Sequence, residues 1–385
     1  MSHSGKLRVV HVAEDVSAIA GGVPAVVRQL SQRLALHGVS VQVVHAVGDP
    51  GVLPDGVESF AFPPTGLGRA WSWGEGLKAG VKRFSTPAGE IAPIFHLHGV
   101  WSAPHYFAAK SAHSSGAPFV VTAHGMLEPW LWEQQGWRVL VKKQVYWKLL
   151  AYPALKFASV IHAITPMEQQ HLQVLFPKIR IEVIPNAIDM DEFSERGLVE
   201  VERERLILFL GRIEPKKGVD ILLHAFAKAK IDREWRLAII GPVWSQAYQY
   251  ELEQIIAENN LGARVTFVGP VFGEEKIGWI RKAWVMAVPS HSEVVGLVNL
   301  EAAAYQLPSI TTHQTGLYDW ESGGGMLIEP NVSDMQTALE KACSWSVSER
   351  LDRGALSRGL VEKNYSWKAV MPMWISLYES IQIEG

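Results

Sequence analysis

Two carboxylates spaced eight residues apart are the part of this chain best suited to chemistry. They lie in Pro289-Ser-His-Ser-Glu-Val-Val-Gly-Leu-Val-Asn-Leu-Glu301. The apolar run Val285–Val288 reads as a strand that stops at Pro289, Ser290–Gly296 as a loop, and Leu297–Gln306 as a helix. Glu293 is then on a loop at the carboxyl edge of a sheet, where open α/β folds bind their ligands. The amides of Gly296, Leu297 and Val298 open the helix without intrahelical acceptors, and the helix dipole makes that end positive, so an anion such as a diphosphate suits it. Glu301, about one turn in, leans back toward the amino end and reaches the same ligand from the side. Such a pair can grip hydroxyl groups on both sides of a phosphate. Two solvated surface glutamates would show the same bare spacing.

Cations supply the complementary half. In Phe209-Leu-Gly-Arg-Ile-Glu-Pro-Lys-Lys-Gly218, Gly211 and Arg212 follow a buried strand, and Lys216, Lys217 and Gly218 precede an amphipathic helix. An Arg that binds bidentately and a Lys that acts as a point charge suit a polyphosphate. An ordinary exposed basic loop is the competing reading. Gly21-Gly22, after the first strand and before a helix, permits close backbone approach to a ligand. It matches neither a Gly-x-Gly-x-x-Gly fingerprint nor a phosphate-binding P-loop. Two His-Gly steps end strands, in His96-Leu-His98-Gly-Val-Trp101 and in Thr122-Ala-His124-Gly125. A histidine there can donate to a sugar or phosphate, or act as acid or base. His-x-His also puts two imidazoles on one strand face, which opens a different chemistry: a metal-dependent hydrolase on His96, His98, His124 or His162. Against that, no acidic residue neighbours these motifs in the expected way, and the chain has no His-Glu-x-x-His.

The elements that must carry these groups are short, β-branched and apolar on both parities, as parallel strands covered on both faces are. The first half shows Leu7–Val12, Val39–Val44, Ile94–His98, Phe119–Thr122, Val160–Ile164 and Ile181–Ile184. The second shows Leu206–Leu210, Leu237–Ile240, Val265–Val268, Val285–Val288, Ser309–Thr311 and Met326–Ile328. Helical periodicity lies between them, as in Val23–His37. Strand–helix alternation in both halves predicts two doubly wound α/β domains. The boundary falls after Ile188, giving a domain over 1–188, a second over 189–364 and a closing helix over 365–385. In that helix Trp367, Val370, Met371, Trp374, Leu377, Tyr378 and Ile381 form one apolar face, and we expect it to cross back onto the first domain.

Composition narrows the classes. With 385 residues, 48% hydrophobic and 19% charged, the chain is neither disordered nor a coiled coil, and two domains fit its length. The single cysteine, Cys343, excludes an internal disulfide framework. A net charge of −3 speaks against a generally basic nucleic-acid binder. No secretory signal is read in Met1–Val12, and there is no apolar run of about 18 residues, so a cytoplasmic protein is expected.

Together these residues resemble the group 1, family 4 glycosyltransferases of the GT-B fold. The resemblance takes in Gly21-Gly22, His124-Gly125, Ile184–Asp189, Gly211-Arg212 with Lys217-Gly218, Val268–Pro270, the Glu293-x7-Glu301 pair and Tyr365–Trp367. It implies two Rossmann-like domains with a cleft between them, the nucleotide-sugar held mainly by the second, and retaining transfer with no metal or other cofactor. Carried over by position, Arg212 and Lys217 would neutralise the diphosphate with the amides of Gly296, Leu297 and Val298. Glu293 would hold donor-sugar hydroxyls, and Glu301 the ribose. His124 would lie against the sugar, Gly21 and Gly22 against the phosphates and acceptor, Gly211 beside the donor, and Val271, within Pro270–Phe272, beside the base. His98 and Trp101 are the acceptor-side candidates. Val294-Val295 departs from the family pattern, which has a small or polar residue and then an aromatic, so the sugar pocket should be reshaped. A nucleotide-sugar hydrolase or epimerase on the same scaffold is the alternative nearest this reading.

Residues 130–156 concern the acceptor. Arg138, Lys142, Lys143, Lys148 and Lys156 interleave with Trp130, Trp132, Trp137, Val139, Leu140, Val141, Val145, Tyr146, Trp147, Leu149 and Leu150, with no acidic residue between Glu133 and Glu168. Such a surface suits an anionic membrane face and a lipid-linked saccharide acceptor, as in surface polysaccharide assembly. An amphipathic helix with its aromatics in the core is the plainer alternative.

Overall fold

The computed structural model describes residues 7–17, 22–49, 55–85, 92–129, 137–190 and 203–384. The chain divides into two units, Met1–Asn186 with Val370–Gly385, and Ala187–Ala369.

Unit 1 is built on seven parallel strands, β1 (Arg8–Asp15), β2 (Ser40–Val47), β3 (Val57–Ala61), β4 (Ile94–His98), β5 (Phe119–Thr122), β6 (Val160–Ala163) and β7 (Ile181–Val183). Their order is β3-β2-β1-β4-β5-β6-β7, so the winding direction reverses between β1 and β4. Six of the seven were legible as apolar runs. The edge strand β3, Val-Glu-Ser-Phe-Ala, was not, because half of it faces solvent and its pattern is neither fully apolar nor cleanly alternating.

The interior of this sheet is not wholly apolar. His11 is registered against His96, His98 against Thr122, and Thr122 against His162, so one face carries a row of polar side chains across four strands. All five are buried. The helix Trp367–Glu384 supplies their cover from Val370 onward. Trp374 stands 4.5 Å from His162 and 5.1 Å from His96, ring centre to ring centre, and stacks on Tyr378. The Tyr378 hydroxyl is 2.8 Å from His96 Nδ1. The division between the units falls inside this helix, so its first turn, with Trp367, belongs to unit 2. There Ile188 and Ser366 form a short parallel bridge.

Unit 2 holds six parallel strands, β8 (Leu206–Leu210), β9 (Arg236–Ile240), β10 (Val265–Gly269), β11 (Val285–Val288), β12 (Ser309–Thr312) and β13 (Met326–Ile328), in the order β10-β9-β8-β11-β12-β13. The reversal lies between β8 and β11. β8 and β11 are buried at every position, which accounts for their uninterrupted apolar sequence. Behind β12, Asn299 accepts from Ser309 Oγ, and the Trp320 indole donates to the same hydroxyl, so these three buried polar groups are paired.

Trp374 is 4% exposed. Trp374→Ala is therefore expected to cost about 3–5 kcal/mol in urea denaturation, with Trp374→Phe losing much less. A loss below about 1 kcal/mol would show that the terminal helix is not part of the unit 1 core.

Candidate functional site

The cationic loop and the first carboxylate meet where the second sheet reverses. Gly211 follows β8 and Pro289 follows β11, adjacent strands whose helices leave to opposite faces, which is the place where α/β sheets open a ligand crevice. The loops are fastened together. Pro215–Lys217 makes one 3-10 turn that ends at Gly218, φ +66°. A Cβ on Gly218 would strike the carbonyl oxygen of Pro289, so glycine is needed for both the turn and the approach. The His291 amide donates to Lys216 O at 2.8 Å, and Lys217 Nζ lies 2.8 Å from Glu293 Oε2. Ser290 Oγ donates to Glu293 Oε1 at 2.6 Å, and the Glu293 amide donates to Gln314 O. The Lys217 and Glu293 side chains are only 18% and 11% exposed, so this ion pair is weakly screened. Arg212 is more open. Its guanidinium sits over the Trp244 ring at 5.1 Å and only 3.8 Å from Glu214, a loose contact.

The helix Leu297–Ala304 begins where the sequence placed it, but one of its three opening amides is taken. Leu297 N–H donates back to Val295 O at 2.9 Å, which, among the described residues, leaves the amides of Gly296 and Val298 for an anion. Gly296 is needed because a Cβ there would strike the buried amide of Asn299. Glu301 pairs with Lys276 Nζ at 2.5 Å, from the helix Gly273–Lys282. Val271 packs its side chain into the unit 2 core, which leaves its backbone to face a ligand, while the neighbouring Phe272 is 79% exposed.

In unit 1, His124 and Gly125 both adopt left-handed backbone, φ +51° and +71°. That conformation costs a histidine energy, so the surroundings must impose it. Glu168 does so: its Oε1 accepts Gly125 N–H at 2.8 Å and its Oε2 accepts Ile164 N–H at 2.7 Å. Burial pushes the Glu168 carboxyl up to about 7. His124 Nε2 lies 3.1 Å from His98 Nδ1, and His98 Nε2 lies 2.8 Å from His11 Nδ1. His98 is thus corrected as an acceptor contact: it is buried and both its nitrogens are engaged inside the protein. Trp101 donates to Met126 O and packs against Tyr146 and Trp147 under Lys143, which gives it a supporting role for the helix Trp137–Tyr146. Gly22 starts the helix Gly22–Leu36 with open space around it, and Gly21 lies outside the described residues.

His11, His96 and His98 bring ring nitrogens within 4.8 Å of one another, a grouping that could hold a metal. The ring centres of His96 and His98 are 4.0 Å apart with the planes tilted by 34°, however, and both nitrogens of His96, His98 and His162 already have hydrogen-bonding partners. A metal would have to break those bonds, which weighs against the hydrolase alternative. Sequence reasoning missed Lys276, Trp244, Ser290, Glu168 and His11. Each acts through a side chain distant in sequence or through a short polar contact that leaves no pattern, although His11, at even spacing within an apolar strand, was an available signal.

The family model for glycosyl transferases group 1 matches residues 190–352, and that for glycosyltransferase family 4 matches residues 20–192. The D-inositol 3-phosphate glycosyltransferase of Frankia alni is 29% identical over 91% of this chain and 92% of its own. That of Mycolicibacterium smegmatis is 32% identical over 56% and 51%. Among solved structures, sucrose-phosphate synthase from Thermosynechococcus elongatus superposes with a TM-score of 0.75 at 21% identity, over 99% of this chain and 100% of that one. HepE from Anabaena in complex with UDP-glucose superposes with a TM-score of 0.72 at 17% identity over 97% and 100%. WaaG, a glycosyltransferase involved in lipopolysaccharide biosynthesis, does so with 0.71 at 16% over 97% and 99%. These likenesses give the fold, two parallel-sheet Rossmann-like domains of the GT-B type.

Burial lowers His11 and His124 to about 3 and His105 and His162 to about 4, from 6.5, and holds His96 and His98 well down. Their stability contribution is complete above pH 6.5 and is lost as pH falls through the folded values, because the unfolded chain takes up the protons. Glu168 works in the opposite sense, losing stability as pH rises from 4.5 through about 7. The histidines outnumber it. The melting temperature of unit 1 should fall steadily from pH 6.5 to 4, with a shallower slope in His105→Gln. Calorimetry showing no slope over that range would contradict the buried, neutral row.

Proposed function

The chain belongs to the group 1 glycosyltransferases, and from that premise we propose that it moves a hexose-type sugar, with retention and without a metal ion, from a nucleotide-diphosphate-sugar to a saccharide or lipid-linked saccharide acceptor in surface polysaccharide assembly. The observation that carries this is the fastening of the Lys217 loop to the Glu293 loop beside the free amides of Gly296 and Val298. In the reaction the bond from the anomeric carbon to the diphosphate breaks, the diphosphate leaves with the electron pair, and an acceptor hydroxyl oxygen takes its place, its proton passing to the released diphosphate or to solvent. Negative charge grows on the leaving group. Arg212, Lys217 and the two amides are fixed positive groups that stabilise it, the service a divalent metal would otherwise give. Glu293 spends one oxygen on Ser290 and one on Lys217, but a carboxylate has about four acceptor sites, so capacity remains for sugar hydroxyls. Glu301, steadied by Lys276, accepts from the ribose. His124 is the unit 1 group assigned to the substrate. The bound UDP-glucose of HepE and the lipopolysaccharide role of WaaG favour this class of donor and setting.

The lipid-linked acceptor is supported by the helix Trp137–Tyr146 and the turn after it. Tyr146 and Trp147 pack inward, but Trp137, Val139, Val141, Val145 and Leu149 are exposed beside Arg138, Lys142 and Lys148. Apolar side chains flanked by cations suit an anionic lipid surface. Among the described residues, no helix is long and apolar enough to cross a membrane.

Arg212→Ala and Lys217→Ala should each lower kcat by about 100-fold or more, because the charge they meet is larger in the transition state. Glu301→Ala should raise the donor KM more than it lowers kcat. Turnover should persist in EDTA, and the anomeric configuration of the product, read by NMR, should match the donor. Normal turnover in both cation variants would refute the diphosphate assignment. Lys142→Glu with Lys148→Glu, which spares Lys143 on the Trp101 ring, should abolish flotation with anionic liposomes. Flotation equal to the unaltered chain would rule out the membrane face.

A further inference from the structure

Five imidazoles of unit 1 form two rows, and the proton positions in each can be worked out from its end. The first row ends on the carbonyl of Ile184, which can only accept. His162 Nε2, at 2.7 Å, therefore carries the proton, and its Nδ1 must accept from Thr122 Oγ1 at 2.8 Å. With its hydrogen used, Thr122 accepts from His96 Nε2 at 2.7 Å, and His96 Nδ1 accepts from the Tyr378 hydroxyl at 2.8 Å. Every group in that row is satisfied. Burial raises Tyr378 well above the ordinary phenol range, in keeping with a retained hydroxyl proton.

The second row runs His11, His98, His124 and has no carbonyl at its end. It stops at His11 Nε2, a fully buried atom with no partner among the described residues. Two proton arrangements are open to it. One leaves a bare N–H at His11 Nε2, the other a bare lone pair. A buried orphan donor is the rarer and costlier of the two. The lone pair therefore belongs on His11 Nε2 and the proton on its Nδ1. That proton is donated to His98 Nε2 at 2.8 Å, so His98 carries its own proton on Nδ1 and donates it to His124 Nε2 at 3.1 Å. His124 is left with its proton on Nδ1. The residue is intermediate in exposure, and among the described residues only its Nε2 has a hydrogen-bond partner. The contact of the His96 and His98 rings, centres 4.0 Å apart, and the His105 bond to the His98 carbonyl keep the middle member in place.

We propose that His11 and His98 are positioning residues that fix His124 in the Nδ1–H tautomer, so that it presents a hydrogen-bond donor to an oxygen of the substrate. This rests on the reading that His124 touches the substrate. The orphaned lone pair on His11 is then the cost of setting the direction of the row. Low pKa values along the row keep each ring neutral near pH 7, the condition under which a tautomer has meaning.

The test is a long-range proton–nitrogen NMR spectrum of the full chain with labelled histidine, His124 being assigned by its loss in His124→Gln. In the unaltered protein His124 should be protonated at Nδ1 and bare at Nε2. In His11→Phe the row loses its first donor, and His124 should become a mixture of tautomers. His11→Asn, which keeps an N–H near the Nδ1 position, should restore the single form. Transfer should follow: kcat down about three- to tenfold in His11→Phe with donor KM little changed, and recovered in His11→Asn. A His124 protonated at Nε2 in the unaltered chain would overturn the proposal, and so would an unchanged tautomer in His11→Phe. Should His11→Phe not fold, the unaltered spectrum and His11→Asn still decide. Full activity in His124→Gln alongside the expected tautomer would instead remove His124 from the substrate while leaving the row's direction standing.

Discussion

A parallel sheet whose strand order reverses cannot cover its own carboxyl edge at the reversal. The two strands there send their helices to opposite faces, and backbone amides and loop side chains are left facing the gap. Both units obey this constraint, at β1 and β4 and at β8 and β11. The groups with chemical capacity gather there: Lys217, Glu293 and the start of the helix Leu297–Ala304 in one unit, and the histidine row with His124 in the other. The folding pattern thus selects the positions, and the sequence fills them with charge in unit 2 and with neutral imidazole in unit 1.

The two fillings differ in their energetics. Lys217 and Glu293 are largely buried opposite charges that neutralise each other before any ligand arrives. Under the function proposed above, a diphosphate would not have to pull a cation out of water there, only to share one already held in place, which is the sense in which such a site would be preorganised. Arg212, over Trp244 and nearly half exposed, keeps more freedom to adjust. In unit 1 no counter-charge is present in the row, so burial is tolerable only while the rings stay unprotonated and each N–H finds an acceptor. Glu168 stands apart, using a buried carboxyl and two backbone amides to hold the His124-Gly125 turn in a conformation that histidine alone would avoid.

Much of this was legible in the chain itself. Strands such as Leu206–Leu210 and Val285–Val288 announce themselves because burial on both faces demands an unbroken apolar run. Pro289, Gly218 and Gly296 punctuate the loops for steric reasons that operate locally. Glu293 and Lys217 could be picked out by charge and spacing, but their direct contact could not, since it depends on the packing of Gly218 against Pro289. Lys276 beside Glu301 and Trp244 beneath Arg212 are tertiary meetings with no sequence signature. The histidines were visible as strand-end residues, yet His98 looked like a ligand contact because sequence does not reveal that both its nitrogens are occupied. The free amides at Leu297–Ala304 were overcounted by one for a similar reason: a tight backbone turn at Val295 is a matter of torsion angles rather than composition.

The cover over the histidine row is drawn from residues beyond Val370, although the sheet it covers is complete by Val183. A ribosome makes the chain in one direction, so every strand of unit 1 emerges and waits while the whole of unit 2 is synthesised. Unit 2 has all its parts sooner. During that interval the imidazole face is open to water, and a chain cut just after Ala369 would keep unit 2 and leave the amino-terminal half unfinished. Birth order and completion order are therefore inverted in this protein, and the first half made is the last to close.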